Sequence, residues 1–396
     1  MRWNSTLLDH RQIATKQQLF TTHPMSPGSP LFLPHGTRIF NTLLAYMRKV
    51  QRKYGYDEVV SPILYKKDLW VQSGHWDNFR DEMFHTGEFS LKPMNCPGHC
   101  LIYQSLDRSY RELPIKLSDF SPLHRNEATG GLSGLTRVRR FHQDDGHIFC
   151  MRDQIEQQIS ESLNMMVQVY NKFGFTDYKL MLSTRPEKYI GDIESWDKAE
   201  QALTNALNEM NHPWTINEAD GAFYGPKIDV MLVDAHGKSH QTATLQLDFQ
   251  LPQRFELEYR GAAQSLERPV MIHRAVFGSV ERFMALLIEN YQGNWPFWLS
   301  PRQLAILPVS ELQVSYANSI KDYIAANDFF VDIDDSAESV SRRVRHAISM
   351  GYNYIAVVGD KEMNDGTVSI RTREARQENK LTKEQLLTLF NKKASE

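Results

Sequence analysis

Apolar residues recur at three- and four-residue steps in three stretches of the chain. Ile39, Leu43, Met47, Val50 and Tyr54 form one stripe, and Gly55 behind it supplies a stop, so a helix is expected there. Ile155, Ile159, Leu163, Met166 and Tyr170 form a second over about 154–172, ended by Gly174. Val280, Phe283, Leu287 and Tyr291 form a third, entered near Ser279 from the extended piece MIHRAVFG. Residues 185–210 read as a polar helix. Between these helices the pattern shortens, and YDEVVSP (56–62), LPIKLSDFSPLHRNE (113–127) and RVRRFHQDDGHIF (137–149) read as strands. The last two are expected to run antiparallel around the glycine-containing loop ATGGLSGLT. Residues 223–251 read as two strands about the turn AHGK, and LKPMNCPGHCLIYQ passes through Pro97-Gly98 into a short helix. The first 36 residues, rich in Pro, Ser and Gly toward their end, read as an extended leading segment rather than a helix.

From Gln303 the pattern changes to alternating strands and helices: QLAILPV, SYANSIKDYIAAN, FFVDID, SAESVSRRVRHAISMG, YIAVVG and TVSIRTR. That is the signature of a small separate α/β domain. A chain of 396 residues exceeds what one core usually organises. We therefore expect a leading segment over 1–36 joined to a larger domain over 37–298, and a second domain over 299–396.

The formal net charge of -3 offers no bulk attraction to a polyanion, so any nucleic-acid binding must rest on local patches. Phe283 to Ile288, the longest strongly apolar run, is too short to cross a bilayer, and no secretory signal is visible. The expectation is therefore no membrane partner. Cys96, Cys100 and Cys150 are sparse and odd in number, which points to thiols in a reducing compartment rather than a disulfide framework.

The segment RVRRFHQDDGH (137–147) carries the densest chemistry. In a strand, Arg137, Arg139, Phe141, Gln143, Asp145 and His147 share one side. A solvated turn is the plain alternative for its acidic pair, but a solvent face has no need of a cation, ring, amide, acid and imidazole in register. Arg125 and Glu127 share parity on the preceding strand. Together these side chains could stack a planar base on Phe141, hold its exocyclic amine with Glu127 and neutralise phosphates with Arg125 and Arg137.

HRNE (124–127), the glycine-containing loop and Phe141 resemble the second signature motif of the class II aminoacyl-tRNA synthetases. GSVERF (278–283), with Arg282, resembles their third motif, and YGYDEVVSP (54–62), ending at Pro62, resembles the first. KPMNCPGH (92–99), STRPEK (183–188), GAFYGPKID (221–229), LDF (247–249) and MIHRA (271–275) narrow the likeness to the threonyl-tRNA synthetase family, over about residues 9 to 373. The resemblance implies an α+β catalytic core, a mostly antiparallel sheet with flanking helices, followed by a C-terminal α/β anticodon-binding domain. It implies activation of threonine by ATP and transfer to the 3' terminal adenosine of threonine tRNA, by a homodimer paired through the first-motif region.

Spacing alone announces no metal site, since no CxxC pair is present. The resemblance assigns one Zn2+ per chain to Cys96, His147 and His273, with Mg2+ accompanying ATP. It implies ATP contacts from Arg125, Glu127, Arg137, Phe141, Lys227, Gln241 and Arg282. Threonine contacts follow from Arg125, Gln143, Asp145, Tyr224 and Gln246. Arg125 and Arg282 are the implied catalytic arginines, and His75 matches a position near the terminal ribose, with packing on Trp76 as the plain alternative. Glu362 and Arg371 match anticodon contacts, with an exposed strand end as the plain alternative, and Arg343, on a basic helix with Arg342 and Arg345, is expected to add local contacts to the tRNA.

Many members of the family carry a long N-terminal extension with an editing domain, whereas this sequence begins almost at the catalytic core. The expectation is a form without editing in cis, resembling fungal mitochondrial enzymes, with serine as a near-cognate substrate. A mitochondrial matrix location follows from that likeness, with a cytoplasmic one as alternative. A binding protein that kept the fold and lost the reaction is the rival from another class, and a prolyl- or seryl-activating enzyme is the rival within it. The first predicts lost motif arginines or metal ligands, and the second leaves the Cys/His/His set without a purpose.

Overall fold

The computed structural model describes residues 7–210, 212–234, 237–373 and 379–396. Its chain divides into two compact units. One comprises Thr22–Pro30 and Leu44–Leu287. The other comprises the segment ending at Thr21, Leu31–Leu43 and Ile288–Glu396.

The first unit is built on eight strands: β1 (Asp57–Glu58), β2 (Ile115–Asp119), β3 (Asp145–Cys150), β4 (Tyr178–Ser183), β5 (Trp214–Asn217), β6 (Lys227–Val233), β7 (Ser239–Asp248) and β8 (Val270–Ala275). They lie in the order β5-β4-β6-β7-β8-β3-β2-β1. The five pairings from β4 through β6, β7, β8 and β3 to β2 are antiparallel, and only the outermost pairs β5·β4 and β1·β2 are parallel. The middle strands are buried on both faces, so β3 and β8 read as continuous rather than alternating burial. Helix Ile155–Phe173 packs on β7 and on helix Ile193–Glu209. It ends where Gly174 takes the left-handed conformation, φ +78°, that the sequence signalled. Its Phe173 ring meets Phe277 and Phe283 edge-on, which ties the helix to the chain leaving β8.

The expected strand at 56–62 is paired only over Asp57–Glu58. Of the expected AHGK turn, Ala235 and His236 lie outside the described residues.

In the second unit, β9 (Leu304–Pro308), β10 (Val331–Ile333), β11 (Tyr354–Val358), β12 (Thr367–Thr372) and β13 (Asn379–Thr382) form a sheet in the order β10-β9-β11-β12-β13. The first three are parallel and the last two antiparallel. Alternation along β9 sorts the core: Leu304 and Ile306 join Ile320 and Phe390 on one face, while Ala305 and Leu307 join Val344 and Ala347 on the other. The first face is covered by helices Val314–Ala325 and Lys383–Ser395, the second by helix Val340–Ser349.

One expectation for the leading segment fails. His10–Gln17 is a helix, because Asp9 accepts from the amides of Arg11 and Gln12 while the Gln12 side chain returns to the Asp9 amide. The extended reading weighed the prolines and glycines farther along and missed this capping box.

Candidate active site

The register of the central strands creates the site. β3 and β8 pair with His147 directly opposite His273, and β8 pairs with β7 so that His273 also faces Gln246. Cys96 reaches the same place from the first turn of helix Cys96–Gln104. The Sγ of Cys96 and ring nitrogens of the two histidines lie within 4.8 Å of one another, and all three residues are buried. This is the one such Cys/His/acid grouping among the described residues. His147 Nε2 lies 3.0 Å from His273 Nδ1. A tetrahedral ion with bonds of about 2.0–2.3 Å sets its donors about 3.3–3.7 Å apart, so small side-chain shifts bring this set into place. One thiolate and two imidazoles leave a fourth position open, which is the donor chemistry of a substrate-binding zinc. Burial, reinforced by the neighbouring His99 and His273, holds His147 well below the usual imidazole range, so its ring is neutral with a lone pair to give. Burial also pushes the Cys96 thiol well up, with Asp145 adding to it.

A cavity is lined by Arg125, Glu127, Arg137, Phe141, Gln143, Gln241, Gln246 and Arg282, among others, and its Gln246 is the strand partner of His273 in the cluster. Eight residues that the resemblance singled out thus share one wall. Tyr224 bridges the two parts: its ring lies 5.4 Å from that of His273, and its hydroxyl donates to Gln246 Oε1 at 2.5 Å. Burial raises the Tyr224 phenol far above its ordinary range, so it serves as a donor. Arg125 lies over the Phe141 and Phe79 rings, at 5.1 and 5.5 Å from their centroids. Arg282 is anchored to the carbonyls of Thr136 and Gln241. Glu127 and Arg137 pair with each other at 2.8 Å. Lys227 is not on the cavity wall; it pairs with Asp229 at 2.8 Å and Asp220 at 3.5 Å.

From Phe141 to His147 alternate side chains face opposite sides, as the period-two reading expects. Phe141 and Gln143 line the cavity, and Asp145 sits beside His147, its Oδ2 accepting from Asn95 at 3.0 Å. Burial raises the Asp145 carboxyl, an effect that His99 and Asn95 oppose. Asp144, on the other side, is fully buried against Arg274 at 2.9 Å and accepts from the amides of Val276 and Phe277. Glycine is needed at position 146, since a Cβ there would stand 2.4 Å from the Arg274 guanidinium. The single-strand reading fails at Arg139. The chain bends there, Arg139 and Arg140 donate their amides to Gly28, and the Arg139 side chain turns to Glu127 and Thr129 instead of the cavity.

His75 opens the short helix His75–Phe79 and is buried. Its ring meets Trp70 edge-on at 6.2 Å rather than Trp76, whose ring lies tilted 5.0 Å from that of His85, and Nδ1 lies 2.7 Å from Ser73 Oγ. Burial pulls it down to about 4, with Asp248 opposing and His273, Arg254 and Arg125 adding to the fall.

In the second unit, the expected tRNA contact from Arg343 is corrected. Arg343 is buried, and its guanidinium donates to the carbonyls of Glu338 and Asp334, so Arg342 and Arg345 are the helix's outward cations. Glu362 accepts from Ser369 Oγ and the Gly359 amide, and the Arg371 Nε is buried with no hydrogen-bond partner.

Sequence reading missed the residues that hold the cluster: Asp248 at 2.9 Å from His273 Nε2, His99 at 2.8 Å from His147 Nδ1, and Asn95 on Asp145. His99 was detectable in principle, one helical turn after Cys96 in NCPGHC.

The family model of the tRNA synthetase class II core domain (G, H, P, S and T) matches residues 79–291, and that of the anticodon binding domain matches 303–393. The chain is 48% identical to the probable mitochondrial threonine--tRNA ligase of Schizosaccharomyces pombe, over 98% of this chain and 89% of that protein. It is 52% identical to the cytoplasmic threonine--tRNA ligase of Saccharomyces cerevisiae, over 93% of this chain but 51% of that protein. Among solved structures, the RNA binding domain of threonyl-tRNA synthetase from Cryptosporidium parvum superposes with a TM-score of 0.94 at 44% identity, covering 97% of this chain and 98% of that one. No helix among the described residues is long and apolar enough to cross a membrane.

Proposed function

Since the chain belongs to the threonine--tRNA ligase family of the class II aminoacyl-tRNA synthetases, we propose that it converts threonine and ATP to threonyl-adenylate and transfers the threonyl group to threonine tRNA. One observation carries the reading. A cavity walled by Arg125, Glu127, Phe141, Gln143, Gln246 and Arg282 adjoins the buried Cys96, His147 and His273 through Gln246, which faces His273 across the strand pair and accepts from Tyr224.

At the nucleotide end, Phe141 and Arg282 bracket the adenine, and Glu127 accepts from its amine. Arg137 is paired to Glu127 but more than half exposed, so leaving that pair for a γ-phosphate costs about 1 kcal/mol or less. Arg125 binds the α-phosphate and the threonine carboxylate together. Gln241 completes the lining, Lys227 is assigned to ATP from outside the wall, where Asp229 and Asp220 hold it, and Mg2+ enters with ATP. The carboxylate oxygen attacks the α-phosphorus in line, the bond to pyrophosphate breaks, and the arginines offset the repulsion between two approaching anions.

At the amino-acid end, Cys96, His147 and His273 would hold one zinc ion. When bound, the ion would supply Lewis-acidic attraction for the amino and β-hydroxyl groups of threonine, its coordination expanding beyond four to take both. Asp145 accepts the hydroxyl proton in a hydrogen bond, and Gln143 and Tyr224 contact the amino group. Valine, nearly isosteric, would leave Asp145 buried without that partner, a far larger penalty than an apolar pocket exacts. We assign to His75, neutral near pH 7, the acceptance of a proton from the terminal ribose during transfer. Glu362 and Arg371 are assigned to the anticodon.

Val60, 83% exposed, with the exposed Ile63 and Leu64, gives the first-motif segment an apolar surface suited to a second copy of the chain. We assign the enzyme to the mitochondrial matrix on its likeness to the S. pombe relative, and assign no editing activity to the described residues. Amino-acid-dependent exchange of pyrophosphate into ATP tests the proposal. Threonine should support exchange, while valine and proline should not; exchange with proline and none with threonine would sink it.

A further inference from the structure

The two histidines of the cluster are held differently. His273 turns Nδ1 toward the cluster and donates Nε2–H directly to Asp248 Oδ2 at 2.9 Å. Asp248 is fixed in turn, its Oδ1 accepting from the amides of Gln250 and Leu251. His147 turns Nε2 toward the cluster, but its Nδ1 meets another imidazole, His99 Nδ1, at 2.8 Å. The two rings stand perpendicular with centroids 4.7 Å apart. Behind His99 comes Asp119, whose Oδ2 lies 3.6 Å from His99 Nε2. His99 and Asp119 are completely buried.

Proton counting fixes the order of this chain. A His147 that offers its Nε2 lone pair to an ion carries its proton on Nδ1. Two nitrogens 2.8 Å apart share one proton, so His99 Nδ1 must be the acceptor. The His99 proton then sits on Nε2, pointing at Asp119. Nε2 has no partner within ordinary hydrogen-bond reach, and a buried donor in that state is costly unless a charge lies close by. Asp119 supplies that charge and cannot turn away. Its Oδ2 accepts from the Ser61 amide and hydroxyl, its Oδ1 accepts from the Ser121 amide, and Lys92 lies 3.7 Å off.

We propose that His99, backed by Asp119, is a positioning residue that holds His147 in the Nδ1–H tautomer with Nε2 toward Cys96 and His273. The inference rests on reading Cys96, His147 and His273 as the zinc ligands. Outer partners of metal-bound histidines set the orientation and basicity of the ring, and their loss costs about 10–100-fold in metal affinity.

The test compares His99→Leu, His99→Asn and Cys96→Ala in the full chain, with zinc affinity measured by competition against a chromogenic chelator. His99→Leu should weaken zinc by about 10–100-fold and raise the KM for threonine while leaving that for ATP nearly unchanged. In His99→Asn the amide oxygen can accept from His147 Nδ1–H, so zinc affinity should return to within a few-fold of the parent. Equal losses in both variants, or unchanged affinity in a folded His99→Leu protein, would overturn the inference. Should the variants not fold, long-range proton–nitrogen NMR on the unaltered zinc-loaded enzyme decides: His99 protonated at Nε2 supports it, and at Nδ1 refutes it. Cys96→Ala separates the two readings. If it binds zinc like the parent, the metal site itself is misassigned; if it loses zinc and His99→Leu does not, only the positioning role fails.

Discussion

Asp144 and Asp145 are neighbours in sequence and opposites in employment. Asp144 faces a prearranged set of partners, the Arg274 guanidinium and two backbone amides, inside the core. Asp145 has Asn95 on one oxygen, while its other oxygen lies 3.8 Å from His147 Nε2. The same division runs along the segment: His142 is locked to Glu281 at 2.8 Å, whereas Phe141 and Gln143 line a cavity. A structural charge is satisfied by its own chain, and a working charge keeps part of its capacity for a ligand. Parity along an extended segment decides which is which.

The largest expected effect lies on the core side. Asp144→Asn leaves Arg274 buried without its counterion and should cost about 3–5 kcal/mol of stability, read from the denaturant midpoint, while molecules that remain folded keep their exchange activity. Next comes Asp145→Asn. It should lower kcat/KM for threonine roughly 10–150-fold, the worth of a hydrogen bond to a charged group of about 1.5–3 kcal/mol, with little change in the midpoint. Were both to act on stability alone, the division of faces would be wrong.

A smaller effect concerns what the working face cannot reject. Serine keeps the amino group and hydroxyl and lacks only a methyl, worth about 1–3 kcal/mol of discrimination. The 396-residue chain assayed alone with threonine tRNA should therefore form seryl-tRNA and leave it uncleared. Failure to form it, or its rapid breakdown by the chain, would contradict that account.

The most gradual is a pH slope from His75, at most about 1.4 kcal/mol per pH unit. Folded, it takes a proton only near pH 4, while the unfolded chain takes one near its ordinary value of 6.5. Protons in that window favour the unfolded state, so stability present above pH 6.5 declines as pH falls toward 4. His75→Gln should flatten that part of the curve, and an unchanged slope would remove His75 as its source.

Much of this was legible in the sequence where local rules govern. The stripe from Ile155 to Tyr170 and the stop at Gly174 yielded a helix, and alternation from Phe141 to His147 yielded two faces. The rules failed where distant chain intervened. Arg139 leaves the strand face because its amide is taken by Gly28, and nothing near Arg139 announces that bond. His147 and His273 become opposite neighbours across 126 residues through strand register alone, so the proposed metal set came from family resemblance rather than spacing. Arg343 was misjudged for a reason the sequence did contain: it lies on the inward stripe of its helix with Val344 and Ala347.

The central claim is that the Cys96, His147 and His273 cluster and the arginine-lined cavity are two halves of one amino-acid-activating site. Threonine-dependent exchange of pyrophosphate into ATP, measured before metal removal, after it, and after zinc is restored, tests this most directly. The account predicts exchange that disappears with the metal and returns with zinc, in a protein whose fold is retained. Exchange that survives quantitative metal removal unchanged would contradict it.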